Sequence, residues 1–266
     1  MFDDGLIKML EMIFGNEFIS DCVSSINQNP LDINGVRKLI ESVANIVLPI
    51  AAVMLCMHLL LEMMDKMTAD SFNAEQFVKL LMKFVFGQII ISNATDWSLV
   101  FMSIGSKFMV DIQSGLITTT IGANGMKEAV EKMSFGQQIS AMAILLLPLL
   151  VSFLLRIAVY FMSYSRLIEM TLRAVMAPLG CADVVSGGVH SSGIRYLKRM
   201  LGISLQGALM LAVISVASAL LAGDSMFSKE FSVTDIMFLG KYLGVMAAMV
   251  GLMGTSKSIA YEVVGA

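Results

Sequence analysis

The hydrophobic pattern of the chain is organised around one stretch, from Gln137 to Ala222. Residues 137–155 contain no charged side chain, and a second uncharged run extends from Met200 to Gly223. A hydrocarbon layer about 30 Å thick needs about 20 helical residues, so these runs predict membrane-spanning helices. The basic segment, defined here as residues 156–199, joins them and carries Arg156, Arg166, Arg173, Arg195, Lys198 and Arg199.

Further apolar runs extend this pattern on both sides. The predicted spans are about 42–61, 77–95, 137–160, 200–222 and 236–256. Residues 97–117 repeat apolar positions at helical spacing, but Lys107 and Asp111 interrupt them. We therefore predict an interfacial or re-entrant helix there, followed by a Thr- and Gly-rich loop at 118–125. The alternative is that 97–117 crosses the membrane, which would reverse the predicted side of everything before it.

The helix that begins at Gln137 is predicted to be longer than a membrane is thick. From Gln137 to Ala177 it would measure about 60 Å at about 1.5 Å per residue, twice the hydrocarbon thickness. Its second half is therefore predicted to extend into the cytoplasm. Arg166, Glu169 and Arg173 lie three and four residues apart, so they share a helix face and are expected to pair. Pro178 is predicted to end this helix.

The N-terminal third begins with a short amphipathic pattern. Residues 3–14 place a broad apolar face opposite Asp4, Lys8 and Glu11. Such a helix either lies in the membrane interface, docks on a partner, or packs as an ordinary N-terminal helix. The pattern predicts two regions: an amphipathic helix and turn at 1–34, and a transmembrane helical domain at 35–266.

Small residues recur at helical spacing in the last two predicted spans. Such stripes let helix backbones approach closely, which replaces the hydrophobic drive that lipid does not supply. Two alternatives remain open, namely oligomerisation and packing of these two helices against each other. The candidate packing residues are Ala208, Ala212, Ser215, Ala219, Gly240, Gly244, Gly251 and Gly254.

Composition supports a membrane protein without chemistry of its own. The chain is 57% hydrophobic and 15% charged, whereas soluble domains carry about 25% charged residues. Its net charge of −3 does not indicate a general nucleic-acid surface. Three widely spaced cysteines indicate neither a disulfide framework nor a metal site. With no HExxH, P-loop or GxSxG pattern, we expect no catalytic residue, cofactor or metal ion, and no enzyme activity.

The distribution of basic residues predicts the orientation. Five of the six arginines fall in the basic segment, and cytoplasmic loops carry an excess of Lys and Arg. We therefore predict that residues 156–199 are cytoplasmic. Counting five spans from there places the N-terminus outside and the C-terminus in the cytoplasm. Arg37 and Lys38, directly before the first span, go against this orientation.

A family resemblance adds to this account. A long aliphatic span comes first, followed by Arg166-Leu167-Ile168-Glu169 and by residues 173–180 (RAVMAPLG). A Gly/Ser turn at 186–193 follows. Tyr196-Leu197-Lys198-Arg199 and residues 204–208 (SLQGA) come next. This order resembles the TrbL-like polytopic inner-membrane subunits of type IV secretion and conjugation systems, most clearly over about 137–222.

The resemblance implies a channel or scaffold component, part of a homo-oligomeric ring that helps DNA or protein cross the envelope. It implies a multi-pass protein of the bacterial inner membrane. Its partners would be other secretion-machine subunits, including the ATPases that use ATP. Within this picture, the basic segment would contact a partner, lipid or cargo in transit. The alternative is a stand-alone transporter or permease, which predicts an inverted repeat that is not visible in the sequence.

Overall fold

The computed structural model describes residues 2–14, 16–68, 73–115, 130, 134–185, 191–223 and 236–266. These residues are helical almost throughout, and no strand occurs among them. In chain order the helices are α1 (Phe2–Phe14), α2 (Asn16–Ile26), a 3-10 turn (Pro30–Asp32), α3 (Val36–Thr68), α4 (Ala74–Ser114), α5 (Phe135–Val175), α6 (Ala177–Gly180), α7 (Ser192–Gly223) and α8 (Ile236–Val264).

Five of these helices, α3, α4, α5, α7 and α8, are long and apolar enough to cross a membrane. The prediction of an all-α polytopic membrane protein is therefore confirmed, and these five candidate helices correspond to the five predicted spans. The helices extend beyond the predicted spans, because hydropathy marks only the apolar middle. In α3, for example, Arg37 and Lys38 lie in the first turns and Lys66 in the last turn.

Helix α4 differs from the predicted division at residue 96. The sequence predicts separate elements at 77–95 and 97–117, but one helix runs from Ala74 to Ser114. Between Asn93 and Ser98 there is no glycine or proline to end it. Both side chains also donate to the preceding helical turn. The Asn93 amide donates to the Ile89 carbonyl oxygen at 2.7 Å, and the Ser98 hydroxyl donates to the Ala94 carbonyl oxygen at 2.9 Å. The loop predicted at 118–125 lies outside the described residues.

Helix α5 has 41 residues and therefore measures about 60 Å. Pro148 lies inside it. Pro178 follows its end, at the start of the short helix α6, and is buried. Proline has no N–H group, so in a first helical turn it costs no internal hydrogen bond. Within a membrane helix, as at Pro148, neighbouring groups can satisfy the carbonyl that it frees. Of the predicted turn at 186–193, residues 186–190 lie outside the described part.

The chain divides into two compact units. Unit 1 comprises Met1–Asn27, Met109–Ser165 and Gly207–Ser256. Leu6, Leu10 and Ile13 of α1 are almost completely buried in its core, and the hydroxyl of Tyr242 donates to the Ile13 carbonyl oxygen at 2.9 Å. Of the alternatives for the N-terminal helix, packing within the chain is the one that these contacts favour.

Unit 2 comprises Gln28–Phe108, Arg166–Gln206 and Lys257–Ala266. Its core contains Ile40, Met102, Met170 and Met200 in one cluster, with two smaller clusters beside it. Helix α4 approaches α7 very closely at Gly105, where a Cβ atom would lie 2.8 Å from the carbonyl carbon of Ser204. Methionine suits such a core, since its flexible thioether fills irregular gaps.

Candidate functional site

Arg156, at the end of the uncharged part of α5, forms an ion pair within unit 1. Its Nη1 atom lies 3.2 Å from Oδ2 of Asp21, and its guanidinium carbon lies 5.7 Å from the centre of the Phe18 ring. Both side chains are partly accessible. Helix α2 thus supplies the carboxylate and the aromatic ring that receive this arginine.

Arg166 is the most deeply buried basic residue of the segment. Its side chain is 2% exposed, and Nη2 donates to the carbonyl oxygen of Gln28 at 3.2 Å within unit 2. A buried charge is costly unless hydrogen bonds compensate it. The residue is therefore part of the internal framework, and its guanidinium is not a surface that a partner or cargo reaches in this conformation.

Glu169 is the centre of a polar cluster in unit 2. Its Oε1 atom accepts from Arg173 Nη2 at 2.9 Å and from the Tyr261 hydroxyl at 3.3 Å. Its Oε2 atom accepts from Lys257 Nζ at 2.6 Å. The sequence predicts the pairing with Arg173, four residues away on the same face. It does not predict Lys257 or Tyr261, because contacts across 88 and 92 residues have no local signal.

We expect Glu169→Gln to destabilise the protein measurably. The amide keeps the shape but removes the negative charge that Lys257 and Arg173 share, so their bonds to it become weaker. The free energy of unfolding should fall by about 1–3 kcal/mol, measured by thermal or denaturant unfolding in detergent. Glu41→Gln is the control, since its exposed pair with Arg37 should contribute less than about 1 kcal/mol. Equal loss in both variants would contradict the role of the cluster.

Arg195, Lys198 and Arg199 lie in the first turns of α7. Arg195 and Arg199 are exposed, whereas Lys198 is half-buried and donates from Nζ to the Gly265 carbonyl oxygen at 3.1 Å. The guanidinium of Arg173 donates to the Glu169 carboxylate. The main-chain carbonyl oxygen of Arg173 accepts a hydrogen bond from the Tyr196 hydroxyl. Within the basic segment, the arginines most accessible to a partner, a lipid or a cargo are therefore Arg195 and Arg199.

The two predicted small-residue stripes have different surroundings in unit 1. In α7, Ala208 is buried, Ala212 and Ser215 are half-buried, and Ala219 is exposed. In α8, Gly240, Gly244, Gly251 and Gly254 lie on one side of the helix, called here the glycine face, and all four are exposed. At Gly240, Gly244 and Gly251, no atom of the described chain outside the immediate helix lies within 4 Å of an added Cβ. At Gly254 the nearest is Met162 Sδ, at 3.8 Å. The glycine face is thus not packed against α7.

The cysteines are free thiols, and no disulfide joins them. Burial raises the pKa of Cys22 and the pKa of Cys181 to about 12 each, so these thiols remain protonated at neutral pH. Cys56 is exposed. Among the described residues, no group of three or more His, Cys, Asp or Glu side chains is arranged to hold a metal ion.

Two contacts in unit 2 bear on the predicted orientation. Gln28 contacts Arg166, and Lys257 contacts Glu169. Three predicted spans separate Gln28 from Arg166, and an odd number of complete crossings would put them on opposite sides of the membrane. Helices α1 and α2, with 13 and 11 residues, are each shorter than the about 20 needed to cross. The contact therefore does not fit three complete crossings between Gln28 and Arg166, the count on which the predicted external N-terminus rests.

Together, the five long apolar helices define a multi-pass α-helical membrane protein. Residues 16–178 match the family model described as TrbL/VirB6 plasmid conjugal transfer like protein. The match covers more than half of the chain, so the chain belongs to this family, whose members are structural membrane components of type IV secretion systems. No curated protein and no solved structure matches the chain significantly.

The family match agrees with the resemblance noted from the sequence, although the two emphasise different parts of the chain. The resemblance was clearest over 137–222, whereas the match covers 16–178 and so includes α2, α3 and α4. The protein is therefore a multi-pass component of the inner membrane that works with other type IV secretion subunits.

Proposed function

We propose that this secretion component forms part of the translocation conduit itself, as a homo-oligomeric ring that works beside the machine's ATPases. The observation that carries the proposal is the glycine face of α8. Three of its glycines have no neighbouring atom of the described chain within 4 Å of an added Cβ, although they lie in an apolar helix. A conduit wider than one chain needs such helix faces between its subunits.

Helices in lipid associate for different reasons than helices in water. Hydrocarbon is as apolar as a leucine side chain, so helices gain little by burying large apolar residues against each other. Glycine instead allows backbones to approach closely, where dispersion contacts and Cα–H···O bonds accumulate. Exposed glycines at spacings of four, seven and three residues therefore favour a helix from a neighbouring copy as the partner of α8.

The proposed orientation keeps the basic segment and the C-terminus in the cytoplasm. The excess of arginine supports a cytoplasmic basic segment. The contacts of Lys257 with Glu169 and of Gly265 with Lys198 support a C-terminus on the same side. An external N-terminus is not proposed, because Gln28 contacts Arg166. In this orientation, the exposed guanidiniums of Arg195 and Arg199 face the cytoplasm, where an acidic partner or DNA in transit would meet them.

We expect the double variant Arg195→Glu/Arg199→Glu to lower DNA transfer while the protein remains in the membrane. Phosphate contacts made by arginine are electrostatic, so reversing two charges replaces attraction with repulsion. Transfer frequency from a donor strain that lacks the wild-type protein is the measurement, with membrane fractions blotted in parallel. Lys38→Glu is the control, since Lys38 is also exposed but lies outside the basic segment.

Three outcomes would bear against parts of this proposal. Normal transfer by the double variant would restrict Arg195 and Arg199 to setting orientation. Unimpaired transfer in a donor without the protein would contradict a role in the conduit. A purified monomer that carries out solute uptake alone in liposomes would favour the stand-alone transporter instead.

A further inference from the structure

Unit 1 contains an apolar groove that the proposed function does not use. Its cavity has a volume of about 400 Å³, within the range of about 300–1,000 Å³ typical of ligand sites. The lining is apolar except for Ser152 and Arg156. The groove is lined by Met12, Leu146, Leu149, Leu150, Ser152, Phe153 and Arg156.

The groove has the length of one lipid leaflet. From Leu146 to Arg156, α5 rises about 15 Å, which is half of a hydrocarbon layer about 30 Å thick. Leu146 is 60% exposed and Phe153 is 61% exposed, although both lie in a helix that is apolar enough to cross the membrane. In a membrane, an apolar groove on such a helix would face hydrocarbon, and an acyl chain is the occupant that matches its apolar lining.

The charged end of the groove selects the headgroup. Arg156 lies 3.2 Å from Asp21, so a positive and a negative charge stand side by side where the acyl chain would end. A headgroup with only a phosphate would satisfy the guanidinium but would be repelled by the carboxylate. A headgroup that carries a phosphate and a primary ammonium matches both charges, because the guanidinium donates to phosphate and the carboxylate accepts from N–H groups.

We propose that this groove is a specific site for a phospholipid with a phosphoethanolamine headgroup. The acyl chain lies along Leu146, Leu150 and Phe153, the phosphate lies on Arg156, and the ammonium lies on Asp21. A choline headgroup has the same charges, but its quaternary nitrogen has no N–H to donate. A glycerol headgroup leaves the phosphate charge beside Asp21 without a cation. The structure thus selects phosphatidylethanolamine over phosphatidylcholine and phosphatidylglycerol with the same acyl chains.

The test is native mass spectrometry of the full-length protein in detergent, titrated with these three lipids. Phosphatidylethanolamine should bind about tenfold more tightly than the other two, the factor expected from one charge-assisted hydrogen bond. Asp21→Asn should move the preference to phosphatidylglycerol, because the repulsive carboxylate is gone. Arg156→Gln should weaken all three. Arg37→Gln is the control, since this exposed arginine lies in unit 2 and pairs with Glu41.

Leu150→Trp tests the acyl part of the site independently of the ion pair. A larger side chain in the groove should weaken all three lipids while leaving the charged pair in place. If Arg156→Gln does not fold, the lipid selectivities of the wild type and of Asp21→Asn still test the proposal. Equal binding of the three lipids, or an unchanged preference in Asp21→Asn, would overturn the proposal.

Discussion

Gly105→Ala is expected to disrupt the packing of α4 against α7 in unit 2 and to reduce the amount of folded protein sharply. An added Cβ would lie 2.8 Å from the carbonyl carbon of Ser204 and closer still to its oxygen. These atoms belong to the helix backbone, so they cannot relieve the clash by changing rotamer as a side chain can. Overpacking typically costs about 1–3 kcal/mol, and we expect the upper end or more here. Thermal unfolding in detergent is the measurement.

Gly244→Ala is the matched control for this variant. The substitution is the same and the position is again within a long apolar helix, but nothing of the described chain lies within 4 Å of the new Cβ. Alanine is also the better helix former, by about 1 kcal/mol. We therefore expect the stability of the monomer to be kept or raised. Equal stability of Gly105→Ala and Gly244→Ala would contradict the close approach of α4 to α7 at Gly105.

The double variant Gly244→Leu/Gly251→Leu is expected to abolish assembly and DNA transfer without unfolding the chain. At both positions nothing of the described chain lies within 4 Å of an added Cβ, and the helix face is exposed, so we expect the fold of unit 1 to be kept. Between copies, however, two large side chains would hold the backbones apart where glycine allows close approach. The measurements are the mass of the detergent-extracted protein and the transfer frequency of a donor that carries only this variant.

Leu252→Phe is the control for the leucine variant. Leu252 follows Gly251 directly, so it points about 100° away around α8, and it is exposed as well. It also becomes larger, but away from the glycine face, and assembly should persist. Loss of assembly in the control would mean that any bulky residue on α8 is harmful, and normal assembly of the leucine variant would remove the glycine face from the interface.

The sequence predicts the elements well because each long apolar run has a local signal. The uncharged run at 137–155 and the need for about 20 residues per crossing give α5 directly, and Pro178 follows its end. The pairing of Glu169 with Arg173 is also local, since helix geometry alone puts side chains four residues apart on one face.

Tertiary contacts escape this reasoning because they join distant parts of the chain. Lys257 reaches Glu169 across 88 residues, and Gln28 reaches Arg166 across 138. The second contact is what conflicts with the predicted external N-terminus. Charge counting assumes that every apolar helix is a complete crossing, and it has no means to detect that two loops meet. The predicted division at residue 96 is wrong for a different reason: Lys107 and Asp111 interrupt the apolar pattern, but the backbone of α4 continues through both.

The glycine pattern of α8 was visible in the sequence, but the direction of its glycine face was not. Spacing alone left packing against α7 and packing between copies as alternatives. Within the described part of the chain, the exposure of Gly240, Gly244 and Gly251 excludes packing of the glycine face against α7. The residues that matter most for the proposed function are thus those that the isolated chain leaves uncovered.

The most direct test of the account is the mass of the protein extracted in mild detergent from donor membranes that are active in conjugation. One copy has a mass of 28.8 kDa. We expect a complex that contains three or more copies, as a ring requires, and we expect Gly244→Leu/Gly251→Leu to lose it. A protein that is present as a single copy in membranes that still transfer DNA would contradict the conduit.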